Sequence, residues 1–167
     1  MPRDRRAVAV ADVLIAAPGV LLPDPLAPGA LSQALGDERL AMARNWSTWE
    51  GSCSFLLPDP ERVARFDAPE FALALASIET HYFIHRGFFD TENQLLDGIG
   101  AVRGIPAVIV QGRYDMVCPP ATAWELKRRW PEVELEILPS AGHSAYESAT
   151  IDALVRTTDR FLYNATS

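Results

Sequence analysis

The chain has 167 residues, 49% hydrophobic and 22% charged, enough material for one medium domain, or one domain plus a small lid. Its formal net charge of −7 argues against nucleic acid as a partner, because phosphate binding wants a basic face; the acidic excess suits a cationic substrate or a solubilising surface. Cys53 and Cys118, the two cysteines, fit neither a disulfide framework nor a zinc site and point to a reducing compartment.

In chain order, Arg3, Arg5 and Arg6 precede an apolar run over 7–17 with the outline of a secretory leader. Asp12 interrupts the run, so a buried strand or helix is the expected reading, and the run is too short for a membrane span. Residues 18–29 hold four prolines and read as irregular loop. From Leu31 to about Asp97 apolar residues recur at helical spacing: Leu31, Leu35, Leu40, Met42, Trp46 and Trp49, then Phe71, Leu73, Leu75, Ile78 and Tyr82. Pro58 and Pro60 separate these into two stretches, and the region reads as a helical lid. The pattern then changes to a strand over 106–111, a helix over 121–130, a strand over 133–138 and a final helix with Ile151, Leu154, Val155, Thr158, Phe161 and Leu162 on one face. Strands alternating with helices predict parallel pairing in a sheet covered on both faces.

Two strand ends carry the chemistry. Ile105-Pro106-Ala107-Val108-Ile109-Val110-Gln111-Gly112-Arg113-Tyr114-Asp115 reads as a buried strand running into a turn that ends on an acid, and the second strand ends in Pro139-Ser140-Ala141-Gly142-His143-Ser144. Open α/β sheets place their sites just past the C-terminal ends of strands. An acid followed by a histidine is the second half of the order Ser…Asp…His, but no Gly-x-Ser-x-Gly occurs in the chain. Taken singly, such an Asp is ordinarily a turn or capping residue, and such a His a loop donor. His81 and His85 are spaced to share a helix face but have no Glu-x-x-His frame or third ligand, so no metal is expected. Cys118 lies shortly after Asp115 and, without a paired His, reads as a small apolar filler rather than a nucleophile.

Four motifs in order, Trp46-Ser47-Thr48-Trp49-Glu50-Gly51, Ser77-Ile78-Glu79-Thr80-His81-Tyr82-Phe83, Gln111-Gly112-Arg113-Tyr114-Asp115-Met116-Val117-Cys118-Pro119 and Ala141-Gly142-His143-Ser144, strongly resemble the proline iminopeptidases (prolyl aminopeptidases), serine exopeptidases of the α/β-hydrolase fold. The resemblance covers about 36–161 and only the C-terminal half of that family. It implies a partial α/β-hydrolase fold: a poorly matching segment 1–35, a helical cap over 36–96, and a β-α-β-α unit of parallel sheet over 97–167. By the same resemblance Asp115 is the orienting acid and His143 the general base, with Glu50 and Glu79 lining a roof above them that holds a substrate ammonium. Trp46, Trp49, Tyr82 and Phe83 would supply apolar walls for a proline ring; without the resemblance these aromatics read as lid core and the glutamates as solvated. The oxyanion loop His-Gly-Gly-Pro-Gly and the nucleophile elbow belong to the missing half. The expectation is therefore a truncated, cofactor-free, metal-free cytoplasmic chain, inactive alone, that derives from an enzyme acting on peptides with an N-terminal proline. It would bind no nucleic acid or membrane, and would self-associate or require a complementing N-terminal fragment. Two other readings stay open: another α/β-hydrolase acting on esters or amides, and a non-catalytic remnant or binding module.

Overall fold

The computed structural model describes residues 31 and 33–165; the leader-like run and the proline-rich stretch fall outside them. The described chain forms two compact units, divided between Glu92 and Asn93.

The first unit is helical. It contains α1 (Gly36–Cys53), α2 (Pro60–Phe66) and α3 (Pro69–Ile84). Pro60 and Pro69 sit in the first turns of their helices, where the missing N–H costs no hydrogen bond. Asp59 caps α2 by accepting the Arg62 N–H at 3.0 Å. The core is a seam in which Leu31, Ala43 and Trp46 meet Ala72 and Ala76. Small side chains on both helices let the backbones approach, and α2 backs onto Gly51, where a Cβ would come within 2.6 Å of the Phe66 ring. The seam corrects the expected apolar faces. Leu35, Ile78 and Tyr82 are 80%, 59% and 52% exposed, because α1 and α3 meet through their alanines rather than through the rows of large residues.

The second unit opens with a short helix α4 (Gln94–Asp97) and a 3₁₀ turn at Gly98–Ala101, followed by β1 (Val108–Gly112), α5 (Pro120–Arg129), β2 (Glu134–Leu138) and α6 (Ser148–Ala165). The strands pair in parallel, with Val108 opposite Glu134 and Gly112 opposite Leu138. Alternation along β1 sends Ile109 into a cluster with Ala123, Leu126, Trp130 and Val133. Val110 instead packs on a second cluster of Leu138, Ala141 and Ala153. One helix thus covers each face of the sheet, as βαβ connectivity requires. The last helix departs from expectation: Ala153 and Thr157 are buried, while Ile151, Val155 and Leu162 are 46%, 53% and 61% exposed. Two strands roughly 5 Å apart make a sheet narrower than a helix about 10 Å across, so part of the apolar stripe has nothing beneath it.

Candidate active site

The ladder between β1 and β2 continues beyond the strands and brings their two C-terminal loops together. The Arg113 N–H donates to the Leu138 carbonyl at 2.9 Å, and the Tyr114 N–H to the Ala141 carbonyl at 3.0 Å. Such an approach demands glycine at the end of β1: a Cβ on Gly112 would lie 2.7 Å from the Ala141 oxygen and closer still to that of Gly142. On the second loop, the Gly142 N–H donates to Glu147 Oε2 at 2.5 Å. That bond holds the backbone beside His143.

Asp115 is the hub. Only 6% exposed, its carboxylate has one oxygen filled by the backbone N–H groups of Val117 (3.0 Å) and Cys118 (2.7 Å). The other oxygen accepts from the Gln111 side-chain amide at 3.1 Å and faces His143 Nδ1 at 3.1 Å. A buried carboxylate needs such partners, since desolvation without them is costly. Gln111 is fixed in turn by donating to the Cys118 carbonyl at 3.1 Å. The Asp115 carboxylate is the main reason the His143 imidazole is pushed up from 6.5 to about 10; hydrogen bonding to Cys118 adds to the rise and burial opposes it. With Nδ1 engaged by the carboxylate, Nε2 is the nitrogen left for chemistry. An imidazole oriented this way passes protons to and from a reacting group.

In the helical unit, Trp46 donates its indole N–H to Glu79 Oε2 at 2.7 Å. Its ring meets Trp49 edge-on at 6.4 Å and Phe83 at 5.9 Å. Four of the six expected lid residues therefore share one neighbourhood: a carboxylate beside an aromatic wall. Tyr82 instead joins His81 and Phe88, with ring centroids 6.2 and 5.6 Å away. Glu50 lies near Cys53, whose thiol is pushed up by burial and by the Glu50 charge. His81 and His85 do share a helix face, 4.7 Å apart. Among the described residues no group of three or more His, Cys, Asp or Glu could hold a metal ion.

The family model for the alpha/beta hydrolase fold matches residues 54–150. The chain belongs to the α/β-hydrolase fold family. Within it, the chain is 53% identical over 124 residues to a proline iminopeptidase of Xylella fastidiosa, covering 74% of this chain and 40% of that protein. A probable proline iminopeptidase of Leptolyngbya boryana is 50% identical over 129 residues, with 77% and 40% covered. An Arabidopsis thaliana proline iminopeptidase is 46% identical over 115 residues, with 69% and 30% covered. The chain thus spans about two-fifths or less of the length of these relatives. Asp115 and His143 lie just past the C-terminal ends of adjacent parallel strands, the place where open α/β sheets carry their sites.

Two parts of the site escaped sequence reading. Gln111 is a strand residue four before the acid, a spacing that carries no signal by itself. Glu147 acts through a backbone N–H, which no side-chain motif records. Cys118 lies in the same turn as Asp115, and the carboxylate that faces His143 Nδ1 also accepts the Cys118 N–H.

Proposed function

We propose that this chain carries the acid–base pair and the amine-recognising lid of a prolyl aminopeptidase, with Asp115 as orienting acid and His143 as general base. The single observation behind the proposal is the 3.1 Å contact between His143 Nδ1 and a carboxylate whose every other lone pair is directed. Glu79 and Glu50 supply negative charge for a substrate ammonium, and Trp46, Trp49, Phe83 and Tyr82 supply apolar surface for the proline ring. Nucleophile and oxyanion donors come from sequence outside this chain, which has no Gly-x-Ser-x-Gly. With its pKa near 10, the isolated imidazole is protonated at neutral pH. It can then give a proton to a leaving amine, but it cannot take one from a serine hydroxyl until it has lost its own. The chain alone is accordingly expected to show no turnover of a proline arylamide.

Partners and compartment follow the same reading. No helix among the described residues is long and apolar enough to cross a membrane, and both cysteines are free, which supports a reducing cytoplasmic setting. Within the described sheet β1 pairs only with β2. Its other edge is a template for a further strand, and we propose that a complementing N-terminal fragment, or else a second copy of the chain, fills it.

The test is a chimera in which this chain replaces the matching 124 residues of the Xylella fastidiosa relative. Release of proline from a proline arylamide supports the proposal. Replacing Glu79 with Gln in that chimera should lower turnover of the amine substrate by roughly a hundredfold or more, from loss of a charge-assisted contact of about 3 kcal/mol. Hydrolysis of simple esters should change little. Equal loss on both substrates would favour a general esterase or amidase over an aminopeptidase.

A further inference from the structure

Gln111 occupies a position that a covered sheet ordinarily gives to an apolar side chain. Alternation along β1 places it on the same face as Ile109, which packs with Ala123 and Leu126 of α5. A half-buried amide there needs acceptors for its hydrogens. Its Nε2 has three: the Gly112 carbonyl at 3.2 Å, the Cys118 carbonyl at 3.1 Å and Asp115 Oδ2 at 3.1 Å. Three acceptors around one atom fix which end of the amide faces them. The last of them is also the oxygen that faces His143 Nδ1. We propose that Gln111 is a positioning residue that acts on His143 through this shared oxygen, loosening the carboxylate's hold on the ring proton so that the imidazole can work as a base. This role rests on the reading of His143 as general base and concerns how readily the ring gives up its proton.

Two effects of that bond oppose each other, and the geometry decides between them. As a tether, the amide would keep the carboxylate aimed at the ring, and its loss would weaken the pair. As a competing donor, it draws charge from Oδ2, and its loss would strengthen the pair. Aim is already fixed without it. The other oxygen, Oδ1, accepts the Val117 and Cys118 N–H groups at 3.0 and 2.7 Å, both from the turn that carries Asp115. Competition is therefore the effect left to Gln111. A donor on the carboxylate stabilises the anion whether or not the ring is charged, so less is gained when the ring carries its proton. Besides Asp115, the titratable groups that bear on the ring are Cys118, which adds to the rise of its pKa, and Glu147, which holds the Gly142 N–H on the ring's own loop. The Gln111 amide bonds neither of those side chains, so replacing it leaves both in place.

The experiment is an NMR titration of the three histidines in the full chain and in Gln111→Met, which keeps the length of the side chain and removes its donors. The His143 midpoint should lie about one pH unit higher in the variant than in the parent. The His81 and His85 curves, from the helical unit, should stay where they were. An unchanged His143 midpoint would overturn the proposal, and so would one that falls, because loss of a purely structural strap can only loosen the pair. The parent chain gives a second reading that needs no variant to fold. Its Gln111 side-chain NH2 signals should shift through the same midpoint as the His143 ring, since both donors share one oxygen; signals that ignore the ring would overturn the proposal. In the Xylella fastidiosa chimera, Gln111→Met should move the acid limb of the kcat/KM profile up by about one pH unit and lower kcat at neutral pH about tenfold, with KM little changed. A profile that stays in place would overturn it as well. Because the titration uses the chain alone and no substrate, its failure is distinct from that of a chimera that releases no proline, which would overturn the aminopeptidase reading.

Discussion

The two units of this chain reach their candidate sites by opposite physical routes. In residues 93–165 the site is polar and closed on itself: one buried carboxylate collects donors from Gln111, Val117, Cys118 and His143, and every partner is fixed by the adjoining ends of two paired strands. In residues 31–92 the site is aromatic and open. A single indole N–H bonds the one carboxylate at its centre, while large apolar side chains such as Phe71 and Ile78 stand 45% and 59% exposed. A hydrogen-bonded hub needs only its own loops to exist. An apolar face without cover needs another surface to become a pocket, and exposed groups of that kind mark interaction sites. On the proposed reading, the acid–imidazole pair forms within this chain, whereas the lid surface gains walls when something covers it.

The largest effect that can break this contrast comes from the hub. In the chimera, Asp115→Asn should lower turnover by about 10⁴-fold, because the amide fails to hold the imidazole in the required tautomer; steady-state kinetics on a proline arylamide reads this. A loss below about tenfold would mean that the polar hub is structural only. Next comes the close approach that assembles the hub. Gly112→Ala forces a methyl group onto the Ala141 and Gly142 carbonyls, backbone that cannot swing aside, and should destabilise this unit by about 3 kcal/mol, measured as a shift in urea midpoint. The smallest effect concerns the lid. Trp46→Phe keeps most of the seam packing but removes the N–H that binds Glu79, at a cost of about 1–2 kcal/mol because the half-buried carboxylate can recruit water. If Trp46→Phe destabilised the chain more than Gly112→Ala, the lid would be the rigid element and the contrast would reverse.

The same contrast governs what could be read from sequence. The strand–helix–strand–helix order was legible because β-branched runs and turn residues report directly on local backbone, and Asp115 and His143 were legible because each follows a strand within a recognisable turn. The burial of α1, α3 and α6 was not. Periodicity shows that Ile78, Tyr82, Val155 and Leu162 share faces with other apolar residues, but it cannot show whether this chain contains the surface that covers them. The small residues Ala43, Ala72 and Ala76 that form the seam carry too little hydrophobicity to stand out in such a pattern. Gln111 and Glu147 stayed hidden for a different reason. Their partners are a carboxylate four positions on and a backbone N–H, contacts set by loop conformation and not by residue type.

Whether the carboxylate–imidazole pair forms within this chain by itself is read from the titration of the His143 ring, followed by NMR of imidazole-labelled chain. A histidine pKa raised in the folded state contributes stability that is full below about pH 6.5 and fades as pH climbs through about 10. The His143 midpoint is expected near 10 and should fall back toward 6.5 in Asp115→Asn. A midpoint near 6.5 in the parent chain, unmoved by that substitution, would contradict it.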